Sequence, residues 1–178
     1  MNYVYTPNMV TQTSEDPENE ISWKSSPTTV IGCLMNSKWM TVKPLIHLSN
    51  PACGDIGSQT YSLICTNLNA TDLPDEISGI SLRVSGQRNG RVDDKQIQLT
   101  YMGDLIGENK VDYETDSEGH ILLLNDTTYG GENDLWGATL TKEMIQDPSF
   151  GVILKFQNHP FYPHSCGMLL EAVSITVY

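Results

Sequence analysis

The stretch Ile80–Ser85, with the sequence ISLRVS, alternates apolar and polar residues without a break. Successive side chains of a β-strand point to opposite faces of its sheet, so this alternation predicts a strand with one buried and one solvated face. Four further stretches repeat the pattern, namely 61–66, 96–101, 152–157 and 173–177. Strands that bury only one face are typical of antiparallel sheets, so we expect mainly antiparallel β-structure.

Turn signals separate these stretches, and helix signals are sparse. Gly86–Gly90 begins and ends with glycine between two predicted strands, which predicts the tip of a β-hairpin. A single short helix is predicted after Thr141, which suits an N-cap, and before Pro148, which ends it. We therefore expect an all-β fold in which two antiparallel sheets form a jelly-roll-like β-sandwich with one short helix.

The first 40 residues differ from the rest of the chain. Residues 1–40 lack the strand period and contain the acidic, proline-broken run Ser14–Glu20. We predict that they form an irregular N-terminal arm that crosses to a neighbouring subunit, while residues 41–178 form the β-sandwich domain. Trp23 and Trp39 are large apolar anchors in this arm. From the sequence alone, such anchors either dock on a neighbour or lie over the chain's own core.

The composition excludes several classes of partner. Ten Lys and Arg residues stand against 22 Asp and Glu residues, a formal net charge of −12, whereas nucleic acids and anionic membranes bind basic surfaces. The longest apolar run, Ile121–Leu124, is far shorter than the roughly 20 residues of a membrane-spanning helix. The first residues lack the pattern of a signal peptide, so we expect no Sec-type secretion and free thiols at the four cysteines.

Two stretches contain metal-ligating residue types, but neither matches a complete site. Residues 112–119 carry a carboxylate at every second position without EF-hand spacing, and this favours a solvated acidic sheet edge over a calcium loop. His159, His164 and Cys166 suit zinc but lack a fourth nearby ligand. The chain also lacks the GxSxG, HExxH and phosphate-loop motifs. We therefore predict a protein without enzymatic activity, metal or cofactor.

Aromatic residues in two late segments are the candidates for interaction. Phe161 and Tyr162 lie between two prolines, and exposed aromatics on such a stiff loop suit a protein interface or stacking on a sugar. In Tyr129–Gly137, YGGENDLWG, the glycines permit a tight corner, Asp134 can accept backbone N–H bonds and Trp136 is a bulky plug with one polar group. This segment predicts a corner that locks its loop to the edge of a sheet.

The order of motifs along the chain resembles a class of tailed-bacteriophage virion proteins. The shared order is YGGxxDLWG at 129–137, a threonine-led short helix from 141, FGV at 150–152 and a terminal VxITVY strand at 173–178. Gly79-Ile80 and Asp93-Asp94 resemble two earlier strand motifs of that class, so the resemblance covers about residues 60–178. It implies a β-sandwich component of a phage particle, at the tail, baseplate, neck or head surface, that is assembled in the host cytoplasm.

Two functions follow from these observations. The first is a non-enzymatic structural subunit of the virion, bound to copies of itself and to other virion proteins and not to nucleic acid or membrane. The alternative is a virion-associated carbohydrate- or receptor-binding module, in which Trp136, Tyr129, Phe161 or Tyr162 would stack on a sugar ring. A jelly roll supports either role, so the fold alone does not decide between them.

Overall fold

Strands provide most of the regular structure in the computed structural model, which describes residues 2–16, 20–21, 23, 59–89, 92–111, 126–158 and 167–178. In chain order, the strands are β1 (Tyr3–Tyr5), β2 (Met9–Thr13), β3 (Glu20–Ile21), β4 (Gln59–Thr60), β5 (Ser62–Thr66), β6 (Ile80–Asn89), β7 (Val92–Tyr101), β8 (Asp104–Ile106), β9 (Asp126–Gly130), β10 (Gly151–Asn158) and β11 (Gly167–Val177). Helix α1 (Lys142–Gln146) lies between β9 and β10.

These strands form two sheets. Sheet A has the order β1-β11-β6-β9, and sheet B has the order β2-β5-β10-β7-β8. In sheet B, the short strand β4 also pairs with β10, and β3 pairs with β4. The pairs are antiparallel except for the short parallel pair of β3 with β4. Each sheet takes strands from both halves of the chain. The predicted all-β, two-sheet sandwich is confirmed.

The core lies between the two sheets and is built from the apolar positions of the alternating stretches. In sheet B, Leu154 on β10 lies opposite Leu63 on one side and Ile97 on the other, so their side chains share one inward-facing row. In sheet A, Leu82 lies opposite Ile175 in the same way. The largest fully buried side chains are those of Trp136, Phe150, Phe156, Leu63, Ile80, Leu82, Ile97, Leu99, Ile145, Leu154, Ile175 and Val152.

The prediction of a hairpin tip at residues 86–90 is wrong. Strand β6 continues to Asn89 and pairs with β11, with Gly86 opposite Leu170, whereas β7 belongs to the other sheet. A two-residue hairpin instead joins β7 to β8, and its central residues, Met102 and Gly103, have φ of +52° and +88°. Left-handed backbone at both positions is the geometry that matches the twist of paired strands, and glycine favours it.

The described part of the first 40 residues does not leave the domain. Tyr3 on β1 pairs with Val177 on β11, and Met9 on β2 pairs with Thr66 on β5, so this segment completes the edges of both sheets of its own chain. The sequence predicted an irregular arm here because strands of three and five residues are too short to show a period. The predicted domain boundary at residue 40 lies outside the described residues.

Helix α1 forms where the sequence predicts it. The Thr141 side chain accepts the Met144 N–H at 3.3 Å, which is the bond of an N-cap. Asp147 ends the helix, and Pro148 follows it directly. Ile145 is fully buried, so the helix closes part of the core between β9 and β10.

Candidate functional site

The segment Gly130–Gly137 folds as a corner at the end of sheet A where β9 stops and β6 begins. Leu135 and Ala138 close a turn through an N–H to O bond of 3.0 Å from Ala138, and the central residues, Trp136 and Gly137, have φ of +57° and +66°. Both therefore adopt left-handed backbone, as in a type I′ turn. Glycine adopts it freely, but for a bulky residue it costs about 1 to 2 kcal/mol, so further contacts must hold Trp136 in place.

The side chain of Trp136 supplies such contacts. It is fully buried, and its indole N–H donates to the backbone carbonyl of Ile80 at 2.9 Å. The carbonyl of Trp136 accepts the N–H of Glu108 at 2.6 Å. Because Ile80 begins β6 in sheet A and Glu108 lies just beyond β8 in sheet B, this one residue joins the two sheets. The geometry agrees with the prediction of a plug that locks its loop to a sheet edge.

Charged side chains brace the same turn. Asp134 accepts the backbone N–H of Trp136 at 2.7 Å, and its other carboxylate oxygen lies 3.0 Å from the Lys110 ammonium. Lys110 also lies 2.9 Å from Glu108 and 5.9 Å from the centre of the Trp136 ring. Partial burial disfavours both charges, yet the bonds from Trp136 and Lys110 lower the pKa of Asp134, and the bonds to Glu108 and Asp134 raise the pKa of Lys110. The pair is therefore charged at neutral pH.

Three segments that are distant in sequence meet at Gly79 and Ile80. The Ile80 N–H donates to the Asp134 carbonyl at 2.9 Å, and the Ile80 carbonyl also accepts the Gly131 N–H at 3.0 Å. From the other side, the Tyr178 N–H donates to the Gly79 carbonyl at 3.0 Å. A Cβ at Gly79 would collide with the Gly131 carbonyl, so only glycine permits this approach. We call the set 79–80, 107–110, 130–137 and 178 the Trp136 corner.

Tyr129 forms a further link between the sheets beside the Trp136 corner. It lies on β9 of sheet A, its side chain is buried, and its hydroxyl donates to an Asp94 carboxylate oxygen on β7 of sheet B at 2.6 Å. The rings of Tyr129 and Trp136 are therefore both committed to the interior, and neither leaves a face open for stacking on a sugar.

A second tryptophan anchors the N-terminal segment. The side chain of Trp23 is only 6% exposed, its indole N–H donates to the Tyr61 carbonyl at 2.9 Å, and its ring meets Phe156 edge-on with centroids 6.1 Å apart. Of the two interpretations that the sequence left open for this residue, packing on the chain's own core is the one the structure shows.

A buried ion pair lies in the same N-terminal region. The Lys155 ammonium on β10 contacts the Glu20 carboxylate on β3, with side chains 7% and 6% exposed, and the Ser14 hydroxyl donates to Glu20 at 2.6 Å. Burial alone would raise the pKa of Glu20, but the bonds from Lys155 and Ser14 lower it. The alternation of the sequence predicts that Lys155 lies on a solvated face. This prediction is wrong, because Glu20, 135 residues away in sequence, covers Lys155 and neutralises its charge.

Several predicted candidates are not part of this geometry. Trp39, Phe161 and Tyr162 lie outside the described residues, as do the stretches 112–119 and 159–166 that raised calcium and zinc as alternatives. Within the described ranges, no group of three or more His, Cys, Asp or Glu side chains is arranged to hold a metal ion. In the same part of the chain, no helix is long and apolar enough to cross a membrane.

Cys65 agrees with its prediction as a small core residue. Its thiol is free and fully buried on β5, and burial raises its pKa to about 12. A thiol in this state is not a nucleophile at neutral pH, because the reactive species is the thiolate.

Lys110 is the corner residue that the sequence analysis did not single out. It is the only cation between Asp104 and Asp134, a stretch that contains nine carboxylates, and a lone cation among carboxylates is a usable signal for an ion pair. Glu20 and Lys155 carry no comparable signal, since only the fold brings them together.

No family model matches the chain, and no curated protein matches it either.

Proposed function

We propose that the chain is a non-enzymatic structural subunit of a bacteriophage virion that acts through protein–protein contacts at the tail, baseplate, neck or head surface. One observation carries this proposal. The Gly79-Ile80 motif, the YGGENDLWG motif and the terminal tyrosine, which resemble the virion class, lie apart in sequence but bond to one another in the Trp136 corner. Chance matches to unrelated stretches would have no reason to meet in one set of hydrogen bonds.

The use of the corner residues supports a structural role over the carbohydrate-binding alternative. Trp136 and Tyr129, two of the rings predicted to stack on a sugar, are buried and bonded between the sheets. The charged groups beside them, Asp134 and Lys110, are paired with each other. Two-sheet β-sandwiches are also found among viral capsid proteins, although lectins share them, so the fold is compatible with the proposal without deciding it.

The test is a quantitative mass-spectrometric inventory of purified particles of the phage whose genome encodes the chain. We expect its peptides at a fixed ratio to the major capsid protein through successive density gradients, while a phage replication protein, as the control, is depleted. Presence in the lysate with loss from the particles would contradict the proposal. If antibodies against the incorporated protein block adsorption to cells and leave the particles intact, the receptor-binding alternative is favoured instead.

A further inference from the structure

We draw no further inference here: the strongest candidate, the exposed apolar side chains of Met102 and Leu105 on the hairpin that joins β7 to β8, carries no proposal, because nothing in the described part of the chain shows what covers them.

Discussion

The Trp136 corner and the N-terminal segment, defined by residues 2–16, 20–21 and 23, are held by the same kind of contact in two different settings. In each, a buried tryptophan donates its indole N–H to a backbone carbonyl at 2.9 Å, from Trp136 to Ile80 and from Trp23 to Tyr61. At the corner, backbone bonds and the pair of Asp134 with Lys110 surround the ring. The N-terminal segment is instead held by edge strands and by the buried pair of Glu20 with Lys155.

The difference between the two regions lies in where their contacts come from. The glycines, Asp134 and Trp136 of the corner stand within one short motif, so residues close in sequence supply the bonds of the turn and Ile80 supplies a distant one. The N-terminal segment also has local bonds, such as that from Ser14 to Glu20, but Trp23 and Glu20 are buried by partners many residues away. We therefore expect local bonds to stabilise the corner against a single substitution. The N-terminal segment should depend more on a few long-range contacts.

The largest effect is expected for Trp136→Ala. Emptying a large buried aromatic site should lower the free energy of unfolding by about 3 to 5 kcal/mol, measured by urea denaturation. Trp136→Phe is the control, and it should cost less because most of the ring volume remains while the bond to Ile80 is lost. Unchanged stability of Trp136→Ala would show that the indole does not hold the corner.

Lys155→Met should come next in size. It leaves Glu20 buried without its cationic partner, and breaking a buried pair in this way costs about 3 kcal/mol. The double variant Lys155→Met/Glu20→Met should recover much of that loss, because neither buried charge remains. If the loss of stability in the double variant equals the sum of the losses in Lys155→Met and Glu20→Met, the two side chains are not coupled.

Trp23→Phe should have a smaller effect, about 1 kcal/mol, because it removes one hydrogen bond to Tyr61 and little of the packing on Phe156. The loss should appear first in the N-terminal segment, as faster amide exchange in β2 than in the strands of the Trp136 corner. If amide exchange accelerates equally in β6 and β9, the two regions unfold as one unit and the contrast between them is lost.

Lowering the pH should produce the smallest changes in the free energy of unfolding. The folded state lowers the pKa of Glu20 and of Asp134, so each adds stability at neutral pH that is lost as the pH falls below about 4. Glu20→Gln and Asp134→Asn should each reduce the pH dependence of unfolding between about pH 5 and pH 3 by less than about 1 kcal/mol. A pH dependence that both variants leave unchanged would assign the acid sensitivity to other carboxylates.

The predictions from sequence succeeded where the signal was local. Alternation at Ile80, Leu82 and Val84 identified the buried face of β6, because the two-residue period of a strand is visible over six residues. The cap at Thr141 and the roles of Asp134 and Trp136 were likewise predictable, since each depends on the chemistry of one residue and its neighbours in sequence.

The predictions failed where the outcome depends on distant pairing. Gly86–Gly90 has the residues of a hairpin, but the pairing of Gly86 with Leu170 extends β6 within sheet A, and β7 lies in the other sheet. Lys155 stands at a polar position of the alternation, and only the fold brings Glu20 over it. No local sequence pattern predicts the extension of β6 or the burial of Lys155, because the partners are far apart in the sequence.

The pairing of β1 with β11 sets a condition on synthesis. Tyr3 lies opposite Val177, so an edge of sheet A cannot form until the ribosome has produced nearly all of the described chain. Folds with such distant partners fold slowly, since the chain must close large loops before it gains the contacts. Until then, β11 is unavailable to cover β6, whose edge is open to wrong partners. The nascent chain should therefore depend on chaperones more than the finished protein does.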